Sequence, residues 1–442
     1  MRARAGVPRG SWAARFQRRQ WLKGSLWVVP LICAVAGPLV AELTVAIDSE
    51  VTLPGGWQYS ESTASSVLSA IVGAMVGLTG FVVAFGVLIV QMATQTLSPR
   101  FMRLWYRDGL QKAVLGTFVG TLTFALDLLT SVSERSVPEI GVTLAGLAVT
   151  ASVVLFLVYL DRFVHRLRPV AVAWQVAEAG ARVFLATRPS PGPAATAGDR
   201  TAAPPVLELR SAGAGAIQAV DREGLLAFAI RHDCLLVLPH AVGDIVPHGS
   251  VIAQVFDTAT VPAEADLRGR FAIGDERTIE QDPAFALRIL VDIAIRALSP
   301  AVNDPTTAVQ VLGPIEDLLL LIGESDLRRR GQLCDRDGHL RVQIGTRHWD
   351  DLLDLGLTEI LDYGATATQV TRRMRALLDG LQERVRAEHR AAVAAHSAAL
   401  DAALERLVPD EAEREFASRP DAQGIGGPSR QAPAFTRTAG LG

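Results

Sequence analysis

Arg288, Asp292 and Arg296 fall four residues apart in "PAFALRILVDIAIRAL" (residues 283–298), which places them on one face of a helix. Asn303 and Asp304 follow in "RALSPAVNDPTTAV" (296–309). Two chemistries fit this pattern. Two guanidinium groups beside a helix N-terminus form a site for a small anion or a nucleotide phosphate. The same residues also make an ion-pair and capping network that holds a helical corner in place. Asp282-Pro283 and Asp304-Pro305 repeat one start signal, an Asp N-cap with proline at the first helical position. They predict a helical hairpin with 296–309 at its corner.

Other chemistry is sparse. His232, His240 and His248 lie near Cys234, but their spacing matches no zinc signature. Cys33, Cys234 and Cys334 form no CxxC pair. Only Lys23 and Lys112 are lysines, so the second half has no P-loop, Schiff-base or lipoyl lysine. No nucleophile elbow, HExxH or glycine-rich phosphate loop stands beside the hairpin. The expectation is a protein that is not an enzyme and has no cofactor, metal or catalytic residues.

The composition explains that poverty. Of 442 residues 49 % are hydrophobic and only 6 % aromatic, so Ala, Val and Leu supply the apolar surface. Mean hydropathy is +0.27. This suits membrane helices better than a large soluble core. A net charge of −3 gives no reason to expect a nucleic-acid partner.

Four apolar stretches can cross a bilayer of ~30 Å: about Trp21–Leu43, Val67–Ala93, Ala113–Leu129 and Ile140–Leu160. The flanking charges alternate. Arg2, Arg4, Arg9, Arg15, Arg18, Arg19 and Lys23 precede the first stretch, and the loop after it has no basic residue. Arg100, Arg103, Arg107 and Lys112 lie between the second and third, and Arg162, Arg166 and Arg168 follow the fourth. The positive-inside rule then puts both termini in the cytoplasm of a multi-pass inner-membrane protein. In the second span Gly73, Gly77 and Gly80 form a stripe of small residues. Such a stripe marks close helix packing, within the four-helix unit or between copies, or the lining of a pore.

The organisation read from these signals is a basic cytoplasmic tail (1–20), a four-helix transmembrane domain (21–160) and a juxtamembrane helix (161–186). A Pro/Ala/Gly linker (187–205), a small β-rich domain (206–275), a helical domain (276–408) and a disordered tail (409–442) follow. The fold class is therefore membrane α-helical, with a cytoplasmic α+β domain made of a small β-barrel or sandwich and a helical part.

Two segments carry a resemblance: "SPRFMRLWYRDGLQKAVLGTFVGTL" and "RTIEQDPAFALRILVDIAIRALSPAVNDPTTA". With the span count and the barrel-like region they resemble, over roughly residues 20–400, a bacterial family of predicted membrane proteins, domain of unknown function 2254. Thr306 stands where the family pattern has an aromatic residue. The resemblance implies a membrane protein and carries over no catalytic residues. The expected partners are the lipid bilayer, a second copy of the chain and a small anionic ligand. The expected function is a membrane sensor, scaffold or ligand-binding module. The alternative is an oligomeric channel lined by the second span and gated by the cytoplasmic domain.

Overall fold

A computed structural model describes residues 8, 10–48, 58–96, 100, 108–134, 136–166, 168–187, 198–258 and 261–426. The chain divides into two units, Arg18–Arg168 and Met1–Gln17 with Pro169–Gly442. The boundary at Gln17 falls inside helix α1, Trp12–Gly24.

The first unit is built from α2 (Val28–Asp48), α3 (Glu61–Thr96), α4 (Gly109–Ser131) and α5 (Glu139–Arg166). All four are long and apolar enough to cross a membrane. Their outer faces expose Leu31, Ile32, Leu39, Phe81, Leu147 and Leu157, as a lipid-facing surface does. Helix ends are satisfied locally. Asp108 caps α4 by accepting from Leu110 N at 2.9 Å. The carboxylate of Asp48, at the end of α2, accepts from Ile140 N at 3.0 and 3.1 Å and so caps α5.

The apolar stretch read as starting at Trp21 is corrected to begin at Val28, because α1 ends at Gly24 and Ser25–Trp27 break the helix. The basic tail is likewise helical from Trp12.

Helices approach closely where a side chain is missing. A Cβ at Gly37 of α2 would meet Gly120 O at 2.7 Å and Phe124 N at 2.9 Å, both on α4. Gly116 and Gly120 of α4 leave room for Cys33, whose Sγ lies 3.0 Å and Cβ 3.3 Å from the two built positions. Gly141 does the same for Leu128. Gly73, Gly77 and Gly80 differ: a Cβ at any of them meets nothing within 4 Å. The stripe on α3 faces away from the other helices of its own unit.

The second unit opens with α6 (Pro169–Ala186) and then an α+β body. Strands β1 (Leu207–Arg210), β2 (Gly215–Val220), β3 (Leu235–Ala241), β4 (Ile245–Val246), β5 (Val251–Phe256), β6 (Phe271–Gly274), β7 (Gln332–Cys334) and β8 (Leu340–Gly345) form two sheets. Their orders are β1-β5-β3-β8-β7 and β4-β2-β6. All pairings are antiparallel except β3 with β8. One core joins both sheets to α7 (Arg222–Arg231), with Leu209, Ile217, Phe228, Leu236, Val255 and Phe271 in it. A short helix α8 (Glu264–Arg268) precedes β6.

The helical part comprises α9 (Pro283–Ala297), α10 (Pro305–Gly323), α11 (Trp349–Gly364), α12 (Thr368–Arg384), α13 (Arg390–Leu407) and α14 (Glu411–Ser418). Helix α10 is the fifth helix apolar enough to span a membrane. It is the most enclosed of the five, with 61 % of its apolar window buried against 17–39 % for the others, and it packs inside this unit.

The structure refines the boundaries read from the sequence. Helix α6 packs one face into the α+β unit. It buries Val172, Val176, Gly180 and Phe184, and a Cβ at Gly180 would meet Ala286 Cβ at 2.7 Å and Leu318 at 3.2 Å. Strands β7 and β8 fall within 276–408, read as the helical domain although "RVQIGTR" (341–347) reads as a strand, and they extend the five-stranded sheet; the partner of β8, β3, lies about a hundred residues earlier, beyond local pattern reading. Residues 188–197 of the expected linker lie outside the described residues, whereas Arg200 reaches Asp257 at 2.5 Å. The tail expected to be disordered from 409 contains α14. Arg372, only 2 % exposed, orders it by donating to Arg419 O (3.2 Å) and Gly426 O (2.9 Å) and stacking 4.3 Å from the Phe416 ring. Residues 427–442 lie outside the described residues.

The start of α1 belongs to this unit. Ala13 N donates to Gly269 O at 3.0 Å and Gln17 Nε2 to Ile273 O at 2.9 Å. Trp12, Ala13 and Phe16 pack on Ala219 and Ala272.

The two glycine environments give a direct test. Gly37→Leu should cost at least ~1–3 kcal/mol by overpacking, seen in thermal unfolding of the detergent-purified chain. Gly77→Leu should leave the melting temperature close to that of the unmutated chain. Equal losses for both would show that α3 is packed inside the unit after all.

Candidate functional site

The predicted hairpin corner is present, and its two caps set its shape. Asp304 Oδ1 accepts from Thr307 N at 3.0 Å and Oδ2 from Thr307 Oγ1 at 2.5 Å. Asp304 N donates back to Ala297 O at 2.7 Å, which closes the corner. Asn303 turns the chain in the left-handed region at φ +50° and donates its N–H to Ser299 O at 2.8 Å. Asn is one of the few residues other than glycine that visit that backbone region routinely.

Arg288 behaves as an ion-pair residue. Its Nε donates to Asp292 Oδ1 at 2.7 Å, one turn along α9. Its other nitrogens hold Glu359 of α11, one at 2.8 Å from Oε2. The Glu359 hydrogen bond, working against burial and aided by Asp292, raises the guanidinium's pKa further above its ordinary value. Asp292 and Arg296 have further interactions of their own. Every nitrogen of Arg288 is thus committed to a carboxylate, and both helix N-termini are filled by their own Asp caps. The geometry is that of a structural network. Glu359 was missed at the sequence level because it lies on another helix, outside any local spacing rule.

The most buried charge sits at the other cap. Asp282 is 2 % exposed. It accepts from Phe285 N at 3.2 Å and from Arg277 Nε at 3.2 Å. Burial pushes its carboxyl above the ordinary carboxylate range, against the pull of Arg277 and Arg347. Gly243, at φ +96°, lies directly over it: a Cβ there would meet the Asp282 carboxyl carbon at 2.7 Å. Beside it Asp244 accepts from Ala241 N at 2.9 Å and from Arg347 at 2.7 Å. The Gly243-Asp244 turn is the lid of this cluster.

Three other groups that could carry chemistry are already held by their neighbours or buried. Asp335, Asp337 and His339 lie within ligand distance of one another. The Asp335 carboxylate, however, accepts from Asp337 N (3.1 Å), His339 N (2.9 Å) and Arg341 Nε (2.7 Å), so it is committed to its own turn and to Arg341. His232 packs on the Phe228 ring at 4.6 Å. Cys234 is fully buried, and burial pushes its thiol up to about 11, so it is no nucleophile at neutral pH.

The pattern of the family described as "Predicted membrane protein (DUF2254)" matches residues 23–380. The chain belongs to this family. Among its relatives is an uncharacterised protein of Mycobacterium tuberculosis strain CDC 1551, 29 % identical over 427 residues, which are 89 % of this chain and 79 % of the relative. An uncharacterised protein of Mycobacterium bovis is 30 % identical over 429 residues, with the same coverage. No solved structure matches the chain at a significant level. The DUF2254 match covers both the apolar helices and the hairpin, so membrane helices and α+β unit belong to one family architecture. It names no activity for Arg288, Asp292, Arg296, Asn303 or Asp304.

Two outcomes check the cap assignments. Asp304→Ala should lose ~0.5–2 kcal/mol, while Asn303→Gly should leave stability unchanged, since glycine accepts a positive φ freely. Retained melting temperature in Asp304→Ala would refute the cap. Asp282 supplies a pH signature. Its folded pKa lies above its unfolded value. Its favourable contribution is therefore full below the ordinary carboxylate range and is lost as pH rises through the raised pKa. Between about pH 4 and neutrality, Asp282→Asn should gain melting temperature relative to the unmutated chain. A difference independent of pH would show that Asp282 ionises without penalty.

Proposed function

We propose that this DUF2254 member is a four-span inner-membrane protein with both termini and the α+β unit in the cytoplasm. In this reading it is a non-enzymatic sensor or scaffold. One observation carries it: Trp12, Ala13 and Phe16, before the apolar helices, pack on Ala219 and Ala272, after them. The first turns of α1 and the α+β unit are then on one side of the membrane, which requires an even number of crossings between them. Helices α2 to α5 supply four, and the enclosed α10 supplies none. The alternating Arg and Lys flanks favour the cytoplasm for that side.

The sensor reading follows from the connections. Only residues 167 and 168 separate α5 from α6, and α6 is a core helix of the α+β unit. The other connection is α1 itself. A change in the α+β unit therefore has two short covalent routes to the apolar helices.

A second reading, an oligomeric conduit lined by α3, is favoured by one feature. Gly73, Gly77 and Gly80 have no partner helix inside the unit, so their face is open to another copy or to a lumen.

Topology is tested by Ser60→Cys in a chain whose three native cysteines are replaced. Impermeant maleimide should label it in intact cells. Labelling only after permeabilisation would invert the orientation. The conduit is tested by Gly77→Leu, read by size-exclusion chromatography and by ion flux in liposomes. An intact oligomer with altered flux would replace the scaffold reading by the conduit.

A further inference from the structure

Helix α1 has two faces of opposite character. One carries Trp12, Ala13, Phe16 and Gln17 and is docked on the β2–β6 sheet. The other carries Arg15, Arg18, Arg19 and Leu22, all exposed, at the i, i+3, i+4, i+7 spacing of one helical stripe. Among the described residues none of these three arginines has an ion pair or hydrogen bond from its side chain. This is unusual for the chain, whose other arginines are mostly paired with carboxylates or carbonyls. An unneutralised row of guanidinium groups on a surface asks for an anionic partner.

Its continuation says which partner. Trp21 is 42 % exposed and Leu22 43 %, and Trp27 is 56 % exposed with its ring edge-on to Trp21 at 5.7 Å. Val28 then opens the apolar helix α2. Basic residues, then exposed tryptophans, then hydrocarbon-length apolar sequence is the order in which a chain meets phosphate headgroups, the interface and the acyl region. A soluble anion would have no use for the exposed indoles.

We propose that Arg15, Arg18 and Arg19, followed by Trp21 and Leu22, form a binding surface for the headgroups of anionic phospholipids. This rests on the membrane reading above and deepens it by naming the lipid class. The opposite face of the same helix holds the β2–β6 sheet through Gln17 and Phe16.

The test uses the full chain, purified in zwitterionic detergent and titrated with short-chain phosphatidylglycerol, with bound lipid counted by native mass spectrometry. Short-chain phosphatidylcholine and inorganic phosphate are the comparison probes. Each arginine near an anionic surface contributes roughly fivefold in affinity. Arg15→Gln/Arg18→Gln/Arg19→Gln should therefore weaken phosphatidylglycerol binding by on the order of a hundredfold. The charge-conserving triple lysine variant should bind as the unmutated chain does, which also guards against a misfolded glutamine variant. Equal binding of the two lipids, full binding by the glutamine variant, or loss in a folded lysine variant would each overturn the proposal. Displacement of the lipid by millimolar phosphate would overturn it too, because the site would then be one for a free anion. Carbonate extraction of the same membranes reports separately on insertion, so failure of the membrane reading and failure of the lipid surface can be told apart.

Discussion

A carboxylate removed from water must be given donors, and Asp282 is where this constraint shapes the α+β unit. Its partners come from three places. Phe285 N lies in the first turn of α9, Arg277 in the segment just before it, and Gly243 in the turn that follows β3. Beside them, Arg347 leaves β8 and holds Asp244 of that same turn. One buried charge thus fixes the start of α9 against the sheet in position and in direction. Breaking such a cluster from one side leaves the remaining charge uncompensated, which is more damaging than never having built it. The corner at Asn303 and Asp304 then sets α10 relative to α9, and Arg288 ties α9 to α11 through Glu359.

The apolar unit is held by a different principle. Between lipid-exposed helices burial from water gives little drive, so backbone approach decides which pairs form. Gly37, Gly116 and Gly120 allow α2 and α4 to meet at contacts a Cβ would forbid. Helix α3 has the richest run of small residues and uses none of the three stripe glycines that way. The stripe on α3 is thus left over, while the working glycines are the Gly116-x-x-x-Gly120 pair of α4 with Gly37 on α2 and Gly141 on α5.

What was legible in the sequence follows from range. Asp282 and Asp304 act within three residues of themselves, so their caps could be read directly. The apolar helices announce themselves by length, although Gly24 moved the start of the first by seven residues. The pairings of Arg288 with Glu359, of Gly243 with Asp282 and of Arg372 with the C-terminal segment join residues far apart in the chain, where spacing carries no signal. The parallel pairing of β8 with β3 was illegible for the same reason. The hairpin arginines satisfied the spacing of both an anion site and an ion pair. Only the position of a third helix separates the two.

The absence of lysine after Lys112 gains a physical meaning in this light. At the sequence level it served to exclude lysine chemistry. In the fold, single arginines repeatedly serve several acceptors in different directions. Arg288 holds Asp292 and Glu359 together. Arg341 bridges Asp335 at 2.7 Å and Asp233 at 2.5 Å. Arg372 gathers two backbone carbonyls and an aromatic ring. A planar fork of five donors can do this from one buried position, whereas an ammonium is a compact point charge with a strongly held water shell. Residues of this kind act as staples between segments that spacing alone would never connect. Arg15, Arg18 and Arg19 have the same fork and, among the described residues, no such work; they lie exposed beside the segment where the chain turns apolar.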